Sequence, residues 1–431
     1  MRPQHAARRG DATTQAAAAA IGGRAAVSLV LAFAFAYFLS ALLRAVTATL
    51  APVFSAELGL RSADLGLLAG AYFLGFAALQ LPLGRALDRF GARRVQLVLL
   101  SLAVAGCAAF AQARGLVSLS VARLLIGMGV AACLMAPLTC FRHLFGTATQ
   151  LRLNSWMLMT GSLGMVASTL PVQMLLPLTG WRGLFVALAA LLLLAMLLIA
   201  RFAPSSAPVS VSSAQGRYRD IMRHPMFVAM APLGFFNYGG LIAMQSLWAG
   251  PWLTQVAGAT PAQAATGLFG INLAMLLAFM SWGVVMPRAV RRGLHARHVI
   301  TWGLPFSMLM LALIVAQGDR AGAWHWAAWC VLSSCVTLSQ PAVGQAFAPA
   351  WAGRALSAFN LLIFAGVFCL QWGVGMLIDM LGAWGWTRRA SFQGAIGAFG
   401  LCCVLAQGWF LWRQQRMAII DREAASRWPT S

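Results

Sequence analysis

One polar stripe interrupts an otherwise apolar stretch near the start of the chain. Tyr37, Ser40, Arg44 and Thr47 fall at offsets of 0, 3, 7 and 10 residues. Because an α-helix turns about 100° per residue, these four side chains share one face. A guanidinium binds carboxylate and phosphate oxygens through two N–H groups, and the hydroxyls add further hydrogen bonds. The stripe therefore predicts a binding face for a small anionic or polar molecule.

Two later stretches carry uncharged polar groups that can hydrogen-bond to a ligand or stack on it. The first holds Asn237, Tyr238, Gln245 and Trp248, of which the last three fall within about a quarter-turn of one direction. The second holds Ser333, Thr337 and Gln340 at offsets of 0, 4 and 7 residues. Two interpretations stay open for both stretches: contact with a solute, or hydrogen bonding between neighbouring helices. A tryptophan such as Trp248 also suits the aromatic belt at a membrane surface.

Acidic and catalytic groups are scarce. The sequence has no His-Glu-x-x-His, no Gly-x-Ser-x-Gly and no glycine-rich phosphate loop with a lysine. We therefore expect no enzymatic activity, no metal site and no cofactor. All nine acids lie in tails, in loops or at the ends of apolar runs: Asp11, Glu57, Asp64, Asp88, Asp220, Asp319, Asp379, Asp421 and Glu423.

The composition is that of a membrane protein. Hydrophobic residues make up 61% of the 431 residues, and charged residues make up only 9%. A helical crossing of the bilayer needs about 20 apolar residues. The sequence therefore predicts an all-α membrane protein with twelve transmembrane helices. The runs lie near residues 27–51, 64–84, 95–113, 117–140, 153–177, 183–201, 226–252, 265–286, 298–316, 323–342, 356–378 and 391–412.

The depth of Arg44 decides how the stripe is interpreted. A charged side chain at mid-membrane costs about 2.5–3.5 kcal/mol on insertion scales, so it requires a partner or a water-filled cavity. If the first helix continues past Pro52 toward Glu57, Arg44 lies near mid-membrane and a binding role is favoured. If the helix ends at Ala51, the side chain can extend to the headgroups instead.

The basic residues indicate an orientation in the membrane. All 31 are arginines, and the formal net charge is +22. With a cytoplasmic N-terminus, 23 arginines fall in cytoplasmic segments and six in the outer loops. This asymmetry follows the positive-inside rule and predicts that both termini are cytoplasmic. It also explains the net charge without nucleic-acid binding.

The chain divides into two six-helix halves. Residues 48–74 can be laid over residues 247–273, which aligns Pro52 with Pro251. Repeated halves around a site at the membrane midplane are a known plan of transporters. We expect a disordered cytoplasmic tail (1–23), an N-terminal six-helix bundle (24–201), a cytoplasmic linker (202–225), a C-terminal six-helix bundle (226–412) and a cytoplasmic tail (413–431).

The loop after the second predicted helix carries a sequence motif. In "PLGRALDRFGARRV", the glycines permit a tight turn and a close helix approach, and the acid can pair with an arginine or cap a helix. This segment resembles the loop signature of the major facilitator superfamily, Gly-x-x-x-Asp-Arg-x-Gly-x-Arg-Arg, although Ala92 replaces a basic residue. The matching residues are Gly84, Asp88, Arg89, Gly91, Arg93 and Arg94.

The resemblance extends to the fourth predicted helix. There "ARLLIGMGVAACL" is similar to a family motif through Arg123, Gly127 and Gly129. The resemblance implies a secondary active transporter with alternating access, in which helices 1, 4, 7 and 10 face a central cavity. It also implies that Asp88 and its loop gate the cytoplasmic side by holding helix 2 against helix 11. For Arg123, a structural role and a role in proton movement stay open.

The charges of the interior favour an anionic or polar neutral substrate. Arg44 has no acid opposite it, and the chain is similar to permeases of the sugar-phosphate and organic-anion type. Those proteins often carry a second arginine in helix 7, where this sequence has Ala243, so a monoanion is favoured. The alternative is an efflux antiporter for drugs or a siderophore-like metabolite. We expect a monomeric permease in the inner membrane, and coupling to a co-transported proton stays open.

Overall fold

The computed structural model describes residues 23–204 and 218–427. Most of the predicted N-terminal tail and the middle of the predicted linker lie outside these ranges. The N-terminal half forms eight helices: α1 (Gly23–Leu58), α2 (Ser62–Ala78), α3 (Gln80–Phe90), α4 (Ala92–Gln112), α5 (Leu116–Val130), α6 (Met135–Leu144), α7 (Thr147–Ala167) and α8 (Leu170–Phe202).

The C-terminal half begins with a short helix, α9 (Tyr218–Arg223). The next span is composite: α10 (Pro225–Pro232), a π-helical turn (Leu233–Tyr238), α11 (Gly239–Ala243), a second π-helical turn (Met244–Trp248) and α12 (Ala249–Gln255). The remaining elements are α13 (Pro261–Arg291), α14 (Ala296–Gln317), a 3₁₀ turn (Gly318–Arg320), α15 (Ala323–Ser333), a 3₁₀ turn (Ser334–Leu338), α16 (Ser339–Gln345), α17 (Pro349–Ala383) and α18 (Arg388–Arg427).

The predicted all-α membrane fold is confirmed. Each of the twelve predicted apolar runs lies on helical segments, as expected where a backbone without water must satisfy its own hydrogen bonds. Nine helices among the described residues are long and apolar enough to cross a membrane. Counting α2 and α3, bent by 45°, as one span makes ten. The two remaining predicted crossings are interrupted, the one near residues 153–177 between α7 and α8 and the one near residues 323–342 by the 3₁₀ turn after α15. A break at Gly180 (φ 61°) inside α8 then separates the fifth predicted crossing from the sixth.

Large apolar side chains cover the outside of the helix bundle. Leu178 is 82% exposed, Val117 78% and Trp302 74%. In water such surfaces are rare on a monomer, whereas lipid tails solvate them without a penalty. The exposed apolar surface therefore agrees with a chain surrounded by lipid.

Helices α2 and α17 join the two halves through close backbone contact. A methyl group on Gly66 would collide with the Gln371 carbonyl oxygen, and one on Gly375 would collide with the Ser62 carbonyl oxygen. Small residues at these points let the helix backbones touch. We call the end of the bundle with the turn at residues 59–61 the far end, and the end with Gly23 the near end.

Candidate substrate-binding site

Arg44 lies deep in α1. The helix continues through Pro52 to Leu58, fourteen residues beyond Arg44, which is about 21 Å at 1.5 Å per residue. A side chain at this depth cannot reach the headgroups at the far end. The sequence favours a binding role for Arg44 if the first helix continues past Pro52 toward Glu57, and α1 does so.

Three tyrosines lie near the Arg44 guanidinium: Tyr37 of α1, Tyr72 of α2 and Tyr238 of the first π-helical turn. The guanidinium also lies 5.8 Å from the ring centroid of Phe76. The Tyr72 hydroxyl donates to the Ser40 carbonyl oxygen at 3.2 Å, which fixes its position. The cluster brings both halves of the chain together around one cation.

Arg44 retains an unused hydrogen-bond donor. Its Nε is buried and has no partner among the described residues, and the same holds for the Thr47 hydroxyl on the same face of α1. The Arg44 side chain as a whole is nevertheless partly accessible, unlike Ser40 and Thr47, which are 1% exposed. A partly accessible cation with a free donor is suited to bind an anion.

Arg123 of α5 has a different environment. It is 1% exposed, its Nη1 donates to the Leu43 carbonyl oxygen at 2.7 Å, and it lies 5.6 Å from the Tyr72 ring centroid and 5.9 Å from that of Phe110. The side chain thus links α5 to α1 next to Arg44. This geometry favours the structural role left open by the sequence.

The two halves approach each other one turn beyond Arg44. A methyl group on Gly250 of α12 would lie only 2.8 Å from the Ala48 carbonyl oxygen of α1. Because Ala48 is one helical turn farther along α1, this contact narrows the space on the far side of Arg44. Farther out, a cleft of about 450 Å³ is lined by Thr49, Pro52, Val53, Ala56, Glu57, Gln173 and Pro261.

That cleft is less suited to an anion than the Arg44 cluster. The charged residue in its lining, Glu57, accepts a hydrogen bond from Trp181 Nε1 at 2.7 Å and pairs with Arg182 at 2.5 Å. The carboxylate repels anions, and its neutralising arginine is already engaged.

The predicted polar residues of the seventh span contact different neighbours. Tyr238 lies near Arg44, whereas Gln245 donates to Asn272 of α13 at 2.9 Å, and Trp248 packs against Phe392 of α18 with 6.2 Å between ring centroids. Two π-helical turns lie in this span, and each adds residues outside the 100° periodicity. The role of Tyr238, Gln245 and Trp248 as substrate contacts on one side of the span stays a prediction.

Several other predicted contacts form hydrogen bonds within the C-terminal half, either between helices or within one turn. Gln340 donates to Asn360 of α17, Thr337 donates to the Ser334 carbonyl oxygen, and Asn237 Nδ2 donates to the Cys403 carbonyl oxygen at 3.4 Å. Their assignment as substrate contacts stays a prediction, and in this conformation these bonds occupy their polar atoms.

Two remaining predictions concern Ser333 and Trp248. Ser333 and Asn237 line a closed cavity of about 10 Å³, which is room for one water molecule and not for a metabolite. Trp248 is fully buried, so it does not lie in an aromatic belt.

The loop motif lies at the near end, and its acid, Asp88, has no bonding partner among the described residues. Gly91 has φ 79° and ends α3, as the predicted turn requires, whereas a methyl group on Gly84 would meet no atom within 4 Å. Asp88 is exposed and forms no hydrogen bond or ion pair within residues 23–204 and 218–427. The gating role of Asp88 and its neighbours stays a prediction. Of the motif's other arginines, Arg93 donates to the Ala200 carbonyl oxygen and Arg89 lies 5.2 Å from the Phe90 ring centroid, while Arg94 follows in α4.

Sequence reasoning missed Tyr72 and Phe76 as part of the cluster. Both lie on α2 in an apolar run, four residues apart, and therefore on one helix face. A tyrosine hydroxyl in such a run was the available indication, since a buried phenol requires a hydrogen-bond partner.

The arrangement matches a known family. The model of the Major Facilitator Superfamily matches residues 33–369, which is most of the chain. The chain belongs to the Major Facilitator Superfamily. It is therefore a multi-pass membrane protein of a transporter family and not an enzyme. No curated protein sequence matches the chain.

Solved structures of transporters share the Major Facilitator Superfamily fold with this chain. A bacterial homolog of the human lysosomal transporter Spinster, inward-facing and occupied, is 16% identical with a TM-score of 0.70, covering 90% of this chain and 96% of that one. A D-xylose–proton symporter is 17% identical with a TM-score of 0.70, covering 89% and 97%. The nucleoside transporter NupG is 15% identical with a TM-score of 0.67, covering 89% and 98%. At these identities the likeness shows the fold alone.

Proposed function

We propose that this superfamily member transports a small organic monoanion by alternating access, and that Arg44 binds the anionic group. The observation that carries the proposal is that the Arg44 side chain is partly accessible at mid-helix, near three tyrosines, and keeps an Nε without a hydrogen-bond partner among the described residues. Burying a cation in a membrane interior is costly, and a bound carboxylate offsets that cost while supplying the missing acceptor.

The charge balance of the site supports one negative charge. Glu57, Asp64, Asp319 and Asp379 are all paired with arginines at the far end, so these acids do not compete for Arg44. The second interior arginine, Arg123, is 1% exposed and donates Nη1 to the Leu43 carbonyl oxygen, and its Nε and Nη2 have no partner among the described residues. Its burial makes it inaccessible to a solute in this conformation. One available guanidinium matches one carboxylate, and a doubly charged phosphate ester would retain an unpaired charge.

The tyrosines provide the remaining recognition. The hydroxyls of Tyr37 and Tyr238 can donate to or accept from polar groups of the same solute, and the Phe76 ring supplies apolar contact. The Tyr72 hydroxyl, which donates to the Ser40 carbonyl oxygen, can accept from the solute. The D-xylose and nucleoside transporters of the same fold act on polar solutes, which makes a polar neutral substrate the nearest competitor.

A panel of ligands tests the substrate class. Purified protein is heated with monocarboxylates, phosphate esters, sugars, nucleosides and cationic dyes, and the unfolding midpoint is measured. A ligand that prefers the native state must raise the midpoint, by RT ln(1 + [L]/Kd) in free energy. We expect monocarboxylates to stabilise the protein, and we expect Arg44→Ala to weaken their binding by about 10- to 100-fold.

Arg44→Lys separates charge from geometry, because lysine retains the charge without the two-pronged donor, and we expect an intermediate loss. Stabilisation by cationic dyes, undiminished in Arg44→Ala, would contradict the proposal and favour a drug efflux antiporter. Stabilisation by sugars or nucleosides alone would identify a polar neutral substrate.

The remaining assignments belong to the same proposal. We place the protein in the inner membrane as a monomer, with the near end and both termini in the cytoplasm. Transport in proteoliposomes with and without an uncoupler determines whether a proton gradient drives it. Loss of accumulation with the uncoupler identifies proton coupling, and unchanged accumulation identifies another driving ion or exchange.

A further inference from the structure

A second carboxylate-based contact joins the halves at the far end, outside the loop motif. Asp379 lies near the end of α17, and its two carboxylate oxygens accept from the first amides of α2: Ser62 N to Oδ1 at 3.2 Å and Ala63 N to Oδ2 at 2.8 Å. These residues are 317 and 316 positions apart in the chain. A helix of one half is thus capped by an acid of the other.

Arg388 completes this contact. From the first turn of α18, its Nη2 donates to the Ser62 hydroxyl at 2.9 Å, and its Nη1 lies 3.8 Å from the Asp379 carboxylate. Its Nε also donates to Gln255 at the end of α12, at 2.8 Å. One arginine therefore connects three helices of the C-terminal half to the N-terminus of α2.

The capping of α2 by Asp379 and the close packing of α2 against α17 depend on each other. Gly375 lies one turn before Asp379 on α17, and its close contact with the Ser62 carbonyl oxygen sets the distance between the helices. The first amides of a helix have no partner within the helix, and they carry its positive dipole end. Separating α2 from α17 would remove the carboxylate from both amides at once.

We propose that Asp379 and Arg388 form a far-end latch that stabilises the conformation in which the halves are closed at this end. When the far end opens, the hydrogen bonds from the backbone amides of Ser62 and Ala63 to Asp379 break together with the hydrogen bond from Arg388 to the Ser62 hydroxyl. At the opposite end of α2, the continuation α3 leaves Asp88 exposed and, among the described residues, without a partner. The latch thus shifts the equilibrium toward the conformation with the far end closed and the near end released.

Hydrogen–deuterium exchange of the whole protein in lipid nanodiscs tests the latch without a known substrate. Asp379→Asn retains the size of the side chain but removes the charge that strengthens the cap. We expect the amides of residues 62–63 to exchange about tenfold faster, as follows from losing a charge-assisted hydrogen bond. If the latch sets the conformational equilibrium, peptides covering residues 84–91 must become more protected in the same sample.

Asp319→Asn is the matched control. It removes the ion pair of Asp319 with Arg389 at 3.0 Å, which lies entirely within the C-terminal half and whose arginine is as exposed as Arg388, 46% against 47%. We expect no change at residues 84–91. Arg388→Gln is the second latch variant. We expect it to cause the same two changes in exchange, faster at residues 62–63 and slower at residues 84–91, but to a smaller extent.

Faster exchange at residues 62–63 with no change at 84–91, in both latch variants, would overturn the proposal. It would mean that Asp379 caps α2 locally without influencing the two ends of the bundle. An equal response in Asp319→Asn would also overturn it, since any lost far-end charge would then have the same effect.

Discussion

Arg44 and Arg123 are both cations in apolar helices, but Arg123 is buried whereas the Arg44 side chain is partly accessible. Arg123 donates to the Leu43 carbonyl oxygen and lies close to two aromatic rings. Both arginines keep buried nitrogens without a hydrogen-bond partner among the described residues, Nε in Arg44 and both Nε and Nη2 in Arg123, but only the Arg44 side chain is partly accessible. The local surroundings therefore separate a residue that holds α1 and α5 together from one that is available to a ligand.

The stability of the ligand-free protein should reflect this difference. Arg123→Gln shortens the side chain below the reach of Leu43 and leaves a cavity between helices, so we expect a loss of about 2–3 kcal/mol. Arg44→Gln removes a partly accessible charge that has no ionic partner among the described residues, and we expect little change or a small gain. Thermal unfolding of both variants measures the contrast, and equal destabilisation would contradict it.

At the scale of elements, the packing of α2 against α17 depends on glycine at specific points. Gly66→Ala places a methyl group against the Gln371 carbonyl oxygen, so the two helices must move apart. We expect a loss of about 1–3 kcal/mol from overpacking.

Gly84→Ala is the control for that substitution. The same change is made on the continuation of the same span, where a methyl group meets no atom within 4 Å. Alanine is the better helix former by about 1 kcal/mol, so we expect unchanged or higher stability. If the unfolding midpoints of Gly66→Ala and Gly84→Ala fall by the same amount, close contact at Gly66 does not explain the loss of stability.

The sequence predicted elements better than contacts. The stripe on α1 was placed correctly on one interior face because α1 is one continuous helix from Gly23 to Leu58, so the 100° periodicity holds. The seventh span contains two π-helical turns, which no simple spacing in the sequence encodes, so the 100° periodicity does not hold along its whole length. The contribution of Tyr72 was also missed, since it depends on which helices pack together and not on its own segment.

At the scale of the whole molecule, the two ends differ in how their arginines are paired. Four of the six arginines assigned to the outer loops form ion pairs with Glu57, Asp64, Asp319 and Asp379. At the near end, Asp88 is unpaired within the described residues. These ion pairs reduce the net positive charge of the far end. They therefore increase the difference in positive charge between the two ends that the sequence already predicts.

This asymmetry predicts the orientation of the chain. A fluorescent protein that matures only in the cytoplasm, fused after Ser431, should fluoresce, and an alkaline phosphatase that is active only outside should be inactive at the same position. The reverse fusion pattern would place the termini outside and would exchange the two faces of the proposed transport cycle.

The cluster around Arg44 also uses almost all the tyrosine in the protein. The chain contains only four tyrosines; three of them lie near Arg44, and the fourth, Tyr218, begins the short helix α9 at the end of the linker. Protein grown with 3-fluorotyrosine would give four fluorine resonances, three from the site and one that serves as an internal reference. The scarcity of one amino acid thus makes the site directly observable by fluorine NMR in a 431-residue membrane protein.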